Sequence, residues 1–361
     1  CRYYKILRFY ILYFQKGYKI LKKKILILGQ GITSHQIIKE VGKNYDVYVC
    51  GKKEGDIEFK NVNHFRIDYK EKSKLLKLLR KNKFDFLVPD GNDTSYLTCS
   101  FLSEKFNFHG FEDYKTTKIL NSKIKLNHKL SKKEFVPKII KKRDLHLLKK
   151  NFFPVIFRPD KSESGKGVKK FETLDQFISF KKKNKQNGIF NEYIDGEHFS
   201  CSVFFDKEKF KFFFVREKCV AFKVKYSSSP FNLNKDVQKK VVAIAKYIIA
   251  FFKLKNGLLH IQFIKRKNEV FLIELTRRAP GDFFGCLISK SYNFNYYKNY
   301  LNTFLKKKLI INKEKKIKFF RETVYSRSRL FKIRNKFKNC SFYKSYSKKF
   351  KNTKIGVAIY K

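Results

Sequence analysis

Near its C-terminal third the chain reads HIQFIKRKNEVFLIELTRR, His260 to Arg278, two apolar strands around a charged turn at Lys265–Asn268. Side chains alternate along a strand, so His260 and Gln262 share one face of the first strand, and Glu274, Thr276 and Arg278 share one face of the second. If the turn keeps those parities together, a carboxylate, an amide, a hydroxyl and a guanidinium stand in one row. Hard oxygen donors of this kind suit Mg²⁺, and a guanidinium beside them neutralises an oxyanion. Glu274 is the single carboxylate of that row.

Two further stretches carry polar groups at turns. RPDKSESGKGV holds Ser162, Ser164, Gly165 and Gly167 in a loop with many unpaired backbone N–H groups, flanked by Arg158, Lys161 and Lys166. Backbone donors with cations around them cradle phosphates. The GxxxxGK[ST] spacing of a Walker loop is absent, and an ordinary charged hairpin turn fits the same residues. In FNEYIDGEHFS, acids at Glu192, Asp195 and Glu197 surround a turn at Gly196. Backbone groups of Asn191, Glu192, Tyr193 and Ile194 suit an adenine edge and Glu197 a ribose hydroxyl; a solvent-facing hairpin is the plainer account.

The elements that must position these residues fall into two patterns. From Lys24, KKILILGQGITSHQIIKEVGKNYDVYVC reads strand, glycine turn, helix, strand, and a second helix leads to the buried strand FDFLVPDGND. That alternation predicts a doubly wound parallel sheet over residues 24–110. Gly29 and Gly31 lie at its first turn, but Ser34 stands where a dinucleotide fingerprint wants a third glycine, so a plain strand-to-helix turn is expected there. A basic helical stretch ends at Pro137. Beyond it the alternation is that of antiparallel strands, broken by the amphipathic helix DVQKKVVAIAKYIIAFFKL.

Composition narrows the function classes. The 361 residues are enough for two or three domains with real cores. The net charge of +53 points towards polyanions, yet Arg is 14 of the 84 basic residues, leaving 70 Lys spread over every segment. Arg is the better reader of base edges, so specific nucleic-acid binding is not expected. Seven cysteines without paired spacing fit a reduced, cytoplasmic chain, and no apolar run reaches transmembrane length. Residues 1–23 form a basic, aromatic extension.

Taken in order, NSK (Asn121–Lys123), FPVIFRP, SESGKGV, FNEYIDGEHFS and HIQF…FLIELTRR after a doubly wound domain resemble the ATP-grasp superfamily of ligases, whose members include biotin carboxylase and the carbamoyl-phosphate synthase large chain. The resemblance covers residues 24 to about 305. It implies an α/β and α+β chain: a doubly wound parallel-sheet domain (24–110), an ATP-grasp domain of two α+β subdomains (111–305) and a basic β-containing segment (306–361). It implies ATP and Mg²⁺ (or Mn²⁺) as cofactors and a carboxylate and a nucleophile as small-molecule substrates, the former activated as an acyl phosphate. Lys123, Arg158, Ser164, Gly165, Lys166 and Gly167 would hold phosphates, with Arg158 where the family commonly has Lys. Asn191, Glu192, Tyr193, Ile194 and Glu197 would hold the nucleoside, and Gln262, Glu274 and Thr276 the metal. Arg278 and Arg277 would face the reacting carboxylate, with His260 a core histidine. The family commonly has Glu, Glu, Asn, Arg in the hairpin row, so a catalytically degenerate ATP-binding relative is the first alternative. A basic polyanion-binding protein is the second, and a dehydrogenase built on GQGITS the third.

Overall fold

In the computed structural model the described residues are 22–52, 59, 62–140, 153–162, 165–207, 209–313, 315–344 and 355–361. The N-terminal extension through residue 21 and Ser164 lie outside them. The expected parallel unit comprises β1 (Lys23–Leu28), α1 (Ile32–Val41), β2 (Tyr45–Cys50), β3 (Asn63–Phe65), α2 (Lys72–Lys81), β4 (Phe86–Pro89) and α3 (Asp93–Phe106). Its strands run parallel in the order β3-β2-β1-β4. Ile25–Leu28 are fully buried, as a strand covered on both faces requires. Asn92 caps α3 by accepting from Ser95 N at 2.8 Å, which fixes the next residue, Asp93, at the carboxyl edge of the sheet.

The GQGITS turn is closed by the chain itself. The Asp90 carboxylate accepts from Gly31 N and Ser34 N, both at 3.0 Å, and so occupies the amide groups at the start of α1. A side chain at Gly29 or Gly31 would collide with it. Burial raises the Asp90 pKa. The plain turn is what the structure shows, and the dehydrogenase alternative loses its anion site.

Helices α4 (Tyr114–Leu120) and α5 (Lys123–Leu130) lead to a small antiparallel sheet of β5 (Val155–Pro159), β6 (Lys169–Phe171) and β7 (Gly188–Glu192), in the order β6-β5-β7. Phe157, Phe171 and Phe177, the last from α6 (Leu174–Lys183), form its core. The chain then builds β8 (Glu197–Asp206), β9 (Lys209–Val220), β10 (Lys223–Ser229), α7 (Lys235–Phe251), β11 (Gly257–Arg266) and β12 (Glu269–Thr276). After α8 (Phe284–Tyr292) and α9 (Tyr296–Phe304) come β13 (Phe319–Val324), α10 (Arg327–Lys336), β14 (Cys340–Lys344) and β15 (Gly356–Tyr360). These strands make one eight-stranded sheet, β12-β11-β8-β9-β10-β13-β15-β14, with antiparallel neighbours throughout.

Val237, Val241, Ile244, Ala245 and Ile248 recur at helical spacing and press α7 onto the large sheet. On the other side α8 and α9 share a core with the parallel unit and with Phe204, Phe213 and Leu258 of the large sheet. The two sheets are therefore tied through one apolar mass, and the C-terminal edge of the parallel unit is brought to the β11–β12 hairpin. Among the described residues no helix is long and apolar enough to cross a membrane.

Candidate active site

The hairpin row forms, but not by the simplest route. The turn places Arg266 opposite Glu269 and Phe263 opposite Leu272, a register that would set Gln262 against Ile273 and turn Glu274 to the other face. A β-bulge at Ile273 shifts the pairing by one residue, so that Gln262 faces Glu274 and His260 faces Thr276. The Ile273 carbonyl accepts from Arg158 Nη1 at 2.6 Å.

Arg158 is therefore bound up in protein. It is buried, and its remaining donors go to Asn191 Oδ1 (2.8 Å from Nη2) and Asn127 Oδ1 (3.0 Å). Asn191 in turn donates to the Pro137 carbonyl at 3.0 Å. Burial lowers the Arg158 pKa to about 10, with Glu274 opposing the shift, so the guanidinium stays charged at neutral pH. In this arrangement Arg158 and Asn191 brace the hairpin rather than stand open to a ligand.

Lys123 is placed at the first turn of α5, where Ser122 and Asp160 cap the helix: Ile124 N donates to Asp160 Oδ1 at 3.0 Å, and Ser122 Oγ to the same oxygen at 2.7 Å. Its Nζ donates to the Ser162 carbonyl at 3.1 Å and lies 3.3 Å from Glu274 Oε1. The first lysine, the glycine loop and the hairpin carboxylate are thus one cluster. Gly165 and Gly167 both adopt positive φ, +71° and +78°, and a side chain at Gly165 would meet the Phe222 carbonyl at 2.1 Å. The loop lies against the β9–β10 turn, with Lys166 exposed on it.

Two acids that the hairpin pattern does not contain complete the surroundings. Asp93, half-buried at the head of α3, accepts from Arg278 Nε at 2.8 Å, and the Thr276 hydroxyl lies 3.4 Å from the same oxygen. Arg278 holds the Asp93 pKa below the ordinary carboxylate value against the opposing effect of burial. Glu217, on β9, accepts from Gln262 Nε2 at 3.2 Å. Its pKa is raised, chiefly by burial and further by the nearby Glu274. In FFVREKCV, residues 213, 215 and 217 all point inward, so an acid at an apolar-facing position was the signal for Glu217. Asp93 lies in PDGNDTSY, where nothing local marks it.

The two arginines separate. Arg277 faces the opposite side of β12 from Arg278, and each of its nitrogens has a protein partner: Glu112 Oε1 at 2.8 Å from Nε, and the Leu258 and Lys255 carbonyls. Both side chains of the Arg277–Glu112 pair are 2% exposed. This corrects the expectation that set Arg277 beside the reacting carboxylate. His260 is a core residue, as expected: Ser202 Oγ lies 2.9 Å from its Nδ1, and burial together with Arg278 pushes its pKa down to about 3.

A cavity of about 720 Å³ opens beside the row, lined by Tyr193, Glu197, His198, Glu217, Phe222 and Ser227 among others. Its size is that of a small-molecule site. Glu197 is paired with Arg216 at 2.6 Å and Lys265 at 2.7 Å, and the Lys265 hydrogen bond leads in lowering its pKa. The backbone N–H groups of Glu192 and Tyr193 are taken by the Lys138 and Pro154 carbonyls, and Ile194 is buried against Ile264 and Phe271. Of the nucleoside residues expected, Tyr193 and Glu197 line the cavity; Glu217 joins it to the hairpin row.

The donors fit a magnesium ion in kind: Glu274, Glu217 and the Gln262 carbonyl are hard oxygens, and two neighbouring carboxylates raise each other's need for a cation. They do not make a full shell. Among the described residues no three His, Cys, Asp or Glu side chains gather as metal ligands.

Residues 120–281 match the family model of an ATP-grasp domain. No curated protein matches the chain in sequence. Among solved structures, N5-carboxyaminoimidazole synthetase from Staphylococcus aureus complexed with ADP superimposes with a TM-score of 0.79 at 15% identity, covering 94% of each chain. An L-amino acid ligase from Bacillus licheniformis gives 0.74 at 14% identity over 94% of this chain and 93% of that one. Phosphoribosylglycinamide synthetase from Anaerococcus prevotii gives 0.72 at 16% identity over 94% of each. Residues 120–281 are thus an ATP-grasp domain, with the lysine, glycine loop and carboxylate hairpin gathered inside it, and the chain as a whole shares the fold of these solved structures.

Proposed function

We propose that the protein is an ADP-forming ligase that activates a carboxylate as an acyl phosphate and passes it to an amine or similar nucleophile. The observation that carries this reading is the gathering of Lys123, Glu274, Gln262 and Glu217, with Arg278 and Asp93 beside them, next to a nucleotide-sized cavity that Glu217 lines. ATP would enter with its base towards Tyr193 and Glu197 and its phosphates towards Lys123 and the Gly165–Gly167 loop.

The chain's own residues then do three things. Lys123 and the loop's backbone amides hold the polyphosphate and offset its charge. Arg278, aimed by Asp93, faces the substrate carboxylate, whose oxygen attacks the γ-phosphorus while the bond to the ADP oxygen breaks. The loop packed on Phe222 excludes water from the resulting acyl phosphate. Mg²⁺, when bound, supplies charge neutralisation on the phosphate oxygens; Glu274, Glu217 and the Gln262 carbonyl would hold it, with Thr276 tied to Asp93.

Isothermal titration with a nonhydrolysable ATP analogue, with and without Mg²⁺ and repeated on Glu274→Ala, tests this reading. Magnesium-dependent binding lost in the variant supports it; absence of binding in moderate salt overturns it. A second reading, an ATP-binding relative without ligase activity, is favoured by the incomplete shell of acids at the row. Binding without ADP release across carboxylate and amine pairs would select it.

A further inference from the structure

The polar row does not stop at the metal hairpin. Glu274 pairs with Gln262 and Gln262 with Ser200; one step further along, Glu217 pairs with Ser227 and Ser227 with Arg321. Equal parity puts all six on one face, crossing six strands from β12 to β13. Its far end is costly. Arg321 has no exposed surface, and its Nη1 has no hydrogen-bond partner. Ser227 Oγ, directly opposite in register, is also buried and unpartnered. A buried donor left unpaired costs about 1–3 kcal/mol, and two of them side by side mark a place where an acceptor is missing.

The groups around Arg321 define that acceptor. Nε donates to the Asp282 carbonyl at 2.6 Å, Nη2 to Thr323 Oγ1 at 3.3 Å, and the Phe284 ring stacks beneath the guanidinium at 4.9 Å. The Asp282 carboxylate stands 3.6 Å from Nη2, within ion-pair range but beyond a hydrogen bond. Asp282 and Phe283 hold it there with consecutive positive φ, +57° and +59°, a conformation that non-glycine residues adopt at a cost. Next to them, nothing lies within 4 Å of where a Gly281 side chain would begin. The carboxylate over Arg321 thus sits on a strained turn, with open space at the neighbouring Gly281.

At the other end of this half-row, Glu217 and Ser227 line the cavity. Glu217 and Arg321 sit two strands apart, about 9.6 Å at the backbone, with the Ser227 hydroxyl between them. That spacing suits a ligand whose positive and negative groups are neighbours, not one charged at opposite ends of a long chain.

We propose that the nucleophile of this ligase is an α-amino acid, with its carboxylate on Arg321 Nη1 and Ser227 Oγ and its amine facing Glu217. The assignment rests on the ligase reading above and names its second substrate. The ammonium gives one proton to solvent, and the freed lone pair attacks the acyl-phosphate carbonyl carbon. The C–N bond forms, the C–O bond to phosphorus breaks, and phosphate leaves with that electron pair, taking the second amine proton.

The test is calorimetric titration of the full chain, loaded with the nonhydrolysable ATP analogue and Mg²⁺, against glycine, L-alanine, L-glutamate, L-lysine and L-phenylalanine, each compared with its decarboxylated amine. At least one amino acid should bind while its amine does not, and Arg321→Gln should weaken that binding about tenfold or more with analogue affinity unchanged. Should Arg321→Gln fail to fold, Ser227→Ala carries the test, with an expected weakening of about fivefold. Amino acids and amines binding alike, none binding to the loaded protein, or both variants binding as the parent does would each overturn the assignment and leave the ligase reading standing. Failure of the analogue itself to bind would overturn both.

Discussion

Arg158 separates two roles that the sequence could not distinguish. By resemblance it is a phosphate ligand; by structure it clamps the bulge that decides which way Glu274 faces. Its guanidinium serves three acceptors, the buried Asn127 Oδ1 and Asn191 Oδ1 and the partly buried Ile273 O. Arg158→Met keeps much of the side-chain volume and orphans all three. At about 1–3 kcal/mol for each unsatisfied group, with part recovered by relaxation and by water, the expected loss is about 3–5 kcal/mol. Urea denaturation followed by circular dichroism reads that loss as a shifted midpoint at constant slope. The bulge, released from its anchor, no longer holds Glu274 opposite Gln262, so magnesium should cease to strengthen nucleotide binding even where the variant is folded. Arg158→Lys keeps a charge but lacks the planar fork, and should lie between parent and Met variant in stability. An Arg158→Met protein within about 1 kcal/mol of the parent, with nucleotide affinity lost both with and without magnesium, would refute the bulge-clamp account and restore the phosphate ligand.

The remaining predictions concern neighbours of this clamp. Arg277→Ala breaks a fully buried pair and should cost about 3–5 kcal/mol, whereas Arg278→Ala should leave the denaturation midpoint nearly in place and abolish ADP release; the reverse pattern would reassign the two. His260 is neutral in the fold down to about pH 3 but takes up a proton near pH 6.5 when unfolded. Its contribution to stability is therefore complete above pH 6.5 and lost as pH falls towards 3, so His260→Gln should flatten the acid limb of a stability–pH curve. Gly165→Ala places a methyl on the Phe222 carbonyl at a positive φ and should weaken ATP-analogue binding severalfold with little change in the melting of the large sheet; unchanged affinity would show that the loop does not need its present seat.

Much of this architecture is legible because the signals are local. Apolar runs in β1 and β4, the glycines after β1, and the period of α7 each determine an element without reference to the rest of the chain. Strand parity goes further and puts His260, Gln262, Glu274, Thr276 and Arg278 in named faces. What it does not contain is the register across the turn. Counting from Lys267 and Asn268 alone gives the wrong partner for Gln262, and the correction comes from a bulge whose carbonyl is paired with a residue more than a hundred positions earlier. The difference between Arg277 and Arg278 was available from alternation; the buried carboxylate that claims Arg277, Glu112, was not.

The same logic explains why the site's acids escaped a reading confined to the hairpin. A ligand site on an antiparallel sheet is assembled across strands, so its members are separated in sequence by whole strands and turns: Glu217 reaches Gln262 from β9, and Arg321 reaches Ser227 from β13. Each such residue looks, in its own segment, like a polar interruption of an apolar face. A side chain of that kind is expensive to bury, and the expense is repaid only where the face meets something polar. In this chain the interruptions at Ser200, Glu217, Ser227, Gln262, Glu274 and Arg321 fall on one face of the sheet in two half-rows offset by two residues between β8 and β9, beginning at the lysine of the glycine-loop cluster and ending at the unpartnered guanidinium nitrogen. Independent packing accidents on six strands have no reason to align. A substrate laid across the strands, reacting at one end and anchored at the other, does.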